Sequence, residues 1–562
     1  MVSEAIADRY DVVIVGGGSA GCVLASRLSE DASRRILLIE AGKAYPPGKE
    51  PRGLSDPGFR TAFNETNYWP GLSHHIDGSG DADPHLHQAR VLGGGSTING
   101  MHAQRGLPRD YDGWRDLGIE GWGWDDVLPH FCALENDHDF SGPEHGKDGP
   151  IDIVRVPEQR WSPLSHALHD TLIAKGEERF DDLSTYHGDG VGPVPLTTDF
   201  KRRSSAAAYL SDKVRARPNL SIFSETRVSR LIFDGIRVIG VEISAPDGTR
   251  AIAAGETIVS CGAIHSPALL LRSGIGPAEE LSAAGVEVRA NRPGVGRNLT
   301  NHPMFSMSAL VAPSGRARDT LGPPCTVVYR YSSGVTDCPA TDMILNLWER
   351  LPSPHIHDPL GRRLADFMFL LNQPFSTGAV TLDPAAPSGL PQVRFNLLQD
   401  SRDLDRMVDA YHRAVALART PAIANKLTVA LFLKASGTMG GYLTDSRQGR
   451  VVARLGAMLL SGPESFNRWL MTRAAPPAET QRADDEIRAM IRENVNAGGH
   501  PMGSRRLGAA NDDAAVVDAD CRVIGVQGLR VVDASIFPRP VTAGTNLPAM
   551  MAAEKCAAGM LA

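Results

Sequence analysis

A chain of 562 residues is too long for one simple hydrophobic core and predicts two or more domains. Its 42% hydrophobic and 22% charged residues are ordinary for a globular protein, and a net charge of −7 gives no reason to expect nucleic acid or an anionic membrane as partner. No apolar run reaches the roughly 18 residues of a membrane-spanning helix, and the opening "MVSEAIADRYD" carries acids without a basic-then-apolar leader pattern, so a cytoplasmic location is expected.

The first elements read as strand, glycine turn, helix and strand: "YDVVIVGGGSAGCVLASRLSEDASRRILLIEAG". Residues 10–15 are an apolar run suited to a buried parallel strand. Gly16, Gly18 and Gly21 follow at G-x-G-x-x-G spacing, with Ser19 and Ala20 opening the helix. The first glycine permits the tight turn, the second lets a pyrophosphate approach the backbone, and the third lets helix and strand pack closely. Unpaired N–H groups at the helix start favour the phosphates. "RILLIE" ends in Glu40, before Ala41 and about 20 residues past the last glycine, placed for a ribose 2′-hydroxyl and against NADP. This stretch predicts dinucleotide binding without separating NAD from FAD.

"ARVLGGGSTINGMHAQRGLPRDYDGW" (89–114) is a second glycine cluster, too distant to belong to the first turn. A third, "GAIHSPALLLRSGIGP" (262–277), follows the apolar strand "TIVSC". "NAGGHPMGSRRLG" (496–508) holds His500 among glycines; locally it reads as a surface-loop histidine. The last segment (528–561) reads as a strand, a loop and an apolar helix, with Thr545 or Asn546 as N-cap and Pro548 in the first turn.

Metal sites are not expected. Cys22, Cys132, Cys261, Cys325, Cys338, Cys521 and Cys556 are scattered singly, without the C-x-x-C pairs of a zinc site or a disulfide framework. The H-x-H pairs His85/His87 and His355/His357 lie in Pro- and Asp-rich loops without a third clustered ligand.

Together the N-terminal fingerprint, "RVLGGGSTINGM", "GAIHSPALLLRSGIGP", "HPMGSRRLG" and "TNLPAMMAAEK" resemble, end to end and in order, the glucose–methanol–choline family of FAD-dependent oxidoreductases. Within it the likeness is greatest to bacterial aryl-alcohol and hydroxymethylfurfural oxidases. The resemblance implies a mixed α/β, two-domain flavoprotein. A Rossmann-like FAD-binding domain would be assembled from residues 1–155, 223–303 and 496–562. A substrate domain, an antiparallel sheet with helices, would come from 156–222 and 304–495.

Carried over by motif, Gly16, Gly18, Ser19, Ala20, Gly21, Glu40 and Ala41 serve the ADP half, and Val228 offers its backbone to adenine. Arg90, Leu92, Gly94, Gly95, Ser96, Asn99, Gly100 and Met101 follow the isoalloxazine and ribityl side. Cys261, Gly262, Asp533 and Ala534 approach the ribityl chain or pyrophosphate, and Asn546 and Leu547 lie at the flavin edge. Some relatives tether FAD through a histidine where this chain has Ile98, so noncovalent FAD is expected.

The resemblance also reverses the local reading of His500, which matches the family's proton-accepting histidine; Asn546 is carried over with it as a catalytic residue. Relatives usually place a second Asn or His where this chain has Gly544, and an aromatic residue is common at Gly499. Asn372, a water or the substrate itself is then expected to replace the missing partner. The implied activity is oxidation of an aromatic or bulky alcohol to an aldehyde or ketone, with O₂ or another acceptor. The loss at Gly544 leaves a FAD-containing lyase, or other chemistry without net alcohol oxidation, as the alternative.

Overall fold

A computed structural model describes residues 9–562 apart from 59–64, 77–85, 199–203, 246–247, 319–321, 352–359, 434–446 and 510. His85, His355, His357 and most of the acidic N-terminal stretch lie outside the described residues.

The expected first strand is Arg9–Val15, and it occupies the middle of a seven-stranded sheet. Ile36–Ile39 and then Leu220–Phe223 run parallel on one side of it. Gly248–Val259 runs parallel on the other side, followed by Leu529–Val531. The first half of Gly248–Val259 turns away and pairs antiparallel with Arg237–Ala245, which pairs in turn with Arg227–Asp234. Neighbours on both sides explain why the first strand is apolar throughout its centre: Val13 and Ile14 are fully buried.

A second seven-stranded sheet is antiparallel, in the order Leu427–Leu431, Pro303–Val311, Leu364–Leu371, Met343–Trp348, Cys325–Tyr331 and Gly190–Pro193. Asn496–Ala497 adds to it beside Pro303 and Met304. Alternation divides its two faces. Phe305, Met307, Leu345, Leu347, Phe367 and Phe369 enter a core shared with Leu404, Met407 and Tyr411 of helix Ser401–Arg419. Met304, Ile344, Asn346, Met368 and Leu370 face the other way and line a large cavity.

The expected boundary between residues 222 and 223 falls inside a strand of the first sheet, and that between 495 and 496 falls just before a strand of the second. The chain ends meet across the first domain. C-terminal helix Asn546–Leu561 lies against helix Ser19–Leu28, where Glu554 accepts from the Arg27 guanidinium at 2.9 Å and from the Tyr209 hydroxyl at 2.6 Å. Among the described residues no helix is long and apolar enough to cross a membrane.

Candidate active site

Four parallel strands end at the same edge of the first sheet, and the residues just past each end face one cavity. Gly16 follows Val15, Glu40 follows Ile39, Ser260 and Cys261 follow Val259, and Asp533 lies two residues past Val531. Such edges are where open α/β sheets bind ligands. The cavity holds about 1660 Å³, above the roughly 300–1,000 Å³ of an ordinary small-ligand site. It has room for a dinucleotide and a substrate together.

The turn after the first strand requires its glycines. Gly16 has φ +101°, and a Cβ there would lie 2.5 Å from the Ser260 carbonyl oxygen. A Cβ on Gly21 would lie 1.9 Å from the Gly16 carbonyl oxygen. Three helices begin at the cavity wall, with Gly18, Cys261 and Thr545 as N-caps, and none of these makes a side-chain capping bond. The first and third, left open in this way, suit an anionic ligand, whereas the Gly262 N–H of the second is bonded by Asp533 Oδ2 at 2.9 Å. Glu40 is fixed by accepting from the N–H groups of Gly17 at 2.9 Å and Gly42 at 2.7 Å. Burial pushes its carboxyl up, opposed by those two bonds and by Arg90. Asp533 likewise accepts from Gly262 N–H and the Ser266 hydroxyl, and Asn546 Oδ1 accepts from the Ser19 hydroxyl at 2.7 Å.

Gly16, Gly18, Ser19, Ala20, Glu40, Ala41, Gly94, Gly95, Asn99, Gly100, Val228, Cys261, Gly262, Asp533, Ala534 and Asn546 line this cavity, as does Ile98. The structure places Gly21, Arg90, Leu92, Ser96, Met101 and Leu547 behind the wall. Arg90 donates to the Ala41 carbonyl at 3.1 Å, and Ser96 to the Gly93 carbonyl at 2.6 Å. Met101 is buried at φ 65°, its N–H held by Asn99 Oδ1 at 3.0 Å.

The other end of the cavity collects His500, Asn372, Gly499 and Gly544 with the sheet residues Met304, Ile344, Trp348, Met368 and Leu370. His500 follows the short strand Asn496–Ala497, which pairs with Pro303–Met304, so pairing brings residues 302 and 500 together. His500 Nδ1 lies 3.0 Å from His302 Nδ1, and the His500 N–H donates to Asn301 Oδ1 at 3.0 Å. Burial holds His500 neutral, its pKa pushed down to about 4. His302, fully buried, is held well below the ordinary value by burial and then by the His500 charge. His102, also at the cavity, is pushed down to about 4 by the same two causes.

Gly544 stands directly against the catalytic candidate. A Cβ there would sit 3.2 Å from His500 Nε2, tighter than ordinary contact. Its φ is not in the left-handed region, so the constraint is space. Gly499, by contrast, has φ +79° with open space around it. The Gly544 N–H is 3.4 Å from Gln104 Oε1, while Gln104 Nε2 and Asn372 Nδ2 are buried without partners among the described residues.

Two of these residues escaped the sequence reading. His302 and His500 begin the chain's only two His-Pro steps, a local sign that was visible. Gln104, inside the second glycine cluster, carries none. Away from the cavity, Glu135, Asp137 and His145 come within metal-binding distance of one another. Arg105 meets Glu135 at 2.5 Å and Arg155 meets Asp137 at 2.9 Å, so the carboxylates are answered by guanidinium groups.

A glycine turn under a parallel sheet, two open helix N-termini and a neutral histidine facing an apolar wall define a dinucleotide-dependent oxidoreductase. The family models for the N- and C-terminal parts of GMC oxidoreductase match residues 10–304 and 374–553, and the chain belongs to that family. It is an FAD-dependent oxidoreductase of the type acting on CH–OH groups. Among its relatives is the 5-(hydroxymethyl)furfural oxidase of Methylovorus sp. (strain MP688), 38% identical, with 98% of each chain covered. The oxygen-dependent choline dehydrogenase of Brucella anthropi is 33% identical, covering 97% of this chain and 94% of that one. The crystal structure of pyridoxine 4-oxidase from Mesorbium loti superposes with a TM-score of 0.80 at 28% identity, covering 98% of this chain and 99% of that one.

Proposed function

We propose that the protein oxidises a neutral, largely apolar alcohol of the aromatic or heteroaromatic kind to its aldehyde or ketone. His500 Nε2 takes the hydroxyl proton. The observation that carries this reading is the His302–His500 contact. Two Nδ1 atoms 3.0 Å apart share one proton, and we assign it to His500. His302 Nδ1 is then the acceptor and His500 Nδ1–H the donor. That tautomer leaves His500 Nε2 with a free lone pair beside Gly544, where a substrate hydroxyl can reach it.

FAD supplies the hydride acceptor when bound along the strand ends. The two open helix N-termini and the glycine turn would hold its pyrophosphate, Glu40 its ribose, and the 94–100 turn its ring system. With Ile98 at the tethering position, the reading includes noncovalent FAD. Gln104 and Asn372 are the amides available to turn toward the developing alkoxide in place of the side chain absent at Gly544.

The wall beside His500 decides the substrate class. Met304, Ile344, Trp348, Met368 and Leu370 carry no charge, and Glu40 and Asp533 lie at the strand ends of the first sheet. Glu493, seven residues before His500, is the remaining acid of the lining, so the apolar wall favours a neutral substrate over a choline-like cation without excluding a carboxylate nearby. The two curated relatives are both named for oxygen chemistry, so O₂ is proposed as acceptor, with release of hydrogen peroxide.

The test is anaerobic bleaching of the purified yellow protein with a panel of alcohols. Benzylic and furanic alcohols should reduce the flavin, choline should not, and His500→Ala should keep its flavin while slowing reduction by about 100-fold or more. Cleavage of hydroxynitriles without any bleaching would replace oxidation by the lyase reading.

A further inference from the structure

Twelve large hydrophobic residues are exposed among the described residues, and seven of them fall in one short stretch: Val451, Val452, Leu455, Met458, Leu459, Phe466 and Trp469. The other five are scattered singly, as is normal for a soluble surface. These seven belong to two consecutive helices, Arg447–Leu459 and Glu464–Met471, on the edge strand Leu427–Leu431.

The arrangement is inverted relative to an ordinary surface helix. Its inward positions are small, with Ala453 and Ala457 packing beside Leu460 onto Leu310, Val429 and Leu431. Its outward positions are the bulky ones, Met458 being 67% exposed. The helices cannot simply roll to hide them, because the buried Asn467 side chain ties the connecting turn by donating to the carbonyls of Leu460 and Gly462, both at 3.0 Å. Phe466 stacks on Trp469 with ring centroids 5.8 Å apart, and the Arg473 guanidinium covers Trp469 at 4.6 Å.

We infer that this face is covered by the same face of a second copy of the chain, the two Arg447–Leu459 helices crossing antiparallel about a two-fold axis. A contiguous apolar stripe is complementary to itself, which is what a two-fold interface requires. The seven side chains leave on the order of 700 Å² open, close to the roughly 800 Å² that each partner gives to a standard interface. Aromatic residues, methionine and arginine are also the types enriched in such patches. The first helix carries Arg447, Arg450 and Arg454 and no acid, Glu464 opens the second, and Arg468 is already paired with Glu479 at 2.9 Å.

Sedimentation velocity on the FAD-loaded full chain at micromolar concentration tests the inference. The wild type is expected at twice the 60.2 kDa chain mass, and Leu455→Glu/Met458→Glu at the monomer mass with an unchanged flavin spectrum. If that variant does not fold, Trp469→Ser serves instead and should weaken the dimer at least tenfold. Ile236→Glu, at an exposed hydrophobic outside the stripe, should leave the dimer intact. A monomeric wild type overturns the inference, as does a folded Leu455→Glu/Met458→Glu protein that stays dimeric. So does a monomer that floats with phosphatidylcholine–phosphatidylglycerol vesicles, which would assign the stripe to lipid.

Discussion

At the strand-end side of the cavity the wall is mostly backbone: glycines at Gly16 and Gly18, three helix N-termini, and Glu40 held by two peptide N–H groups. At the His500 side it is mostly side chains, drawn from strands near residues 304, 344 and 368 and from the loops at 500 and 544. The first end suits a ligand whose shape does not vary between relatives, since backbone is hard to edit. The second can be re-lined one residue at a time, leaving the sheet in place. Within one fold, relatives named for furanic, cationic and pyridine substrates are then expected.

The largest effect should come from disturbing the backbone end. Gly21→Ala puts a methyl group 1.9 Å from the Gly16 carbonyl oxygen, a collision no rotamer relieves. Bound flavin, read as the ratio of visible to protein absorbance, should be almost abolished. A yellow, fully loaded Gly21→Ala protein would mean that this turn does not carry the cofactor.

At the side-chain end the effects should be graded. His302→Leu removes the acceptor for His500 Nδ1–H. The flavin-reduction rate should fall about tenfold to thirtyfold, the worth of one buried hydrogen bond. His302→Gln, whose amide oxygen can still accept that proton, should recover most of the loss. Equal rates for the two variants would reduce His302 to a packing residue.

Gly544→Asn should produce a crossover of about tenfold each way, with kcat/KM rising for simple benzylic alcohols and falling for larger ones. Because its Cβ would meet His500 Nε2 at 3.2 Å, some of the gain should be lost to a displaced imidazole. An unchanged specificity profile in a stable, loaded variant would show that position 544 does not face the substrate.

The smallest effect concerns pH. His500 and His102 are held neutral by burial, with pKa values near 4 against an ordinary value of 6.5. Above 6.5 both are neutral folded or unfolded, so they add no pH dependence to stability. As pH falls from 6.5 toward 4 the unfolded chain takes up protons that the folded chain resists, and the melting temperature should decline across that window. The reduction rate should hold through pH 6.5 and lose its acid limb nearer 4. A limb at 6.5 would place His500 in water rather than in the wall.

This contrast also explains what could be read from the sequence. The glycine turn, Glu40 and the C-terminal helix were legible because spacing along one segment encodes their geometry. His500 became legible only through its resemblance to a family motif, since "GGHPMG" by itself describes a loop. His302 was missed because its meaning comes from a pairing between residues 303–304 and 496–497, almost two hundred positions apart. Gln104 sits in a segment that had already been assigned to the flavin. Net charge and mean composition could not show the exposed stripe at 451–469, because its alanines and leucines face opposite ways.

The hydrogen bond between Ser19 and Asn546 joins residues 527 positions apart, and the Arg27–Glu554 pair closes the same seam. A ribosome adding roughly 5–20 residues per second needs on the order of half a minute to two minutes to span that interval. Throughout it the nascent glycine turn has its first helix but lacks the helix that completes the pocket. Cofactor capture therefore waits until residues 546–561 have left the ribosome. Until then the apolar flank of the first helix stays uncovered, an interval in which a chaperone has more to hold than the flavin does.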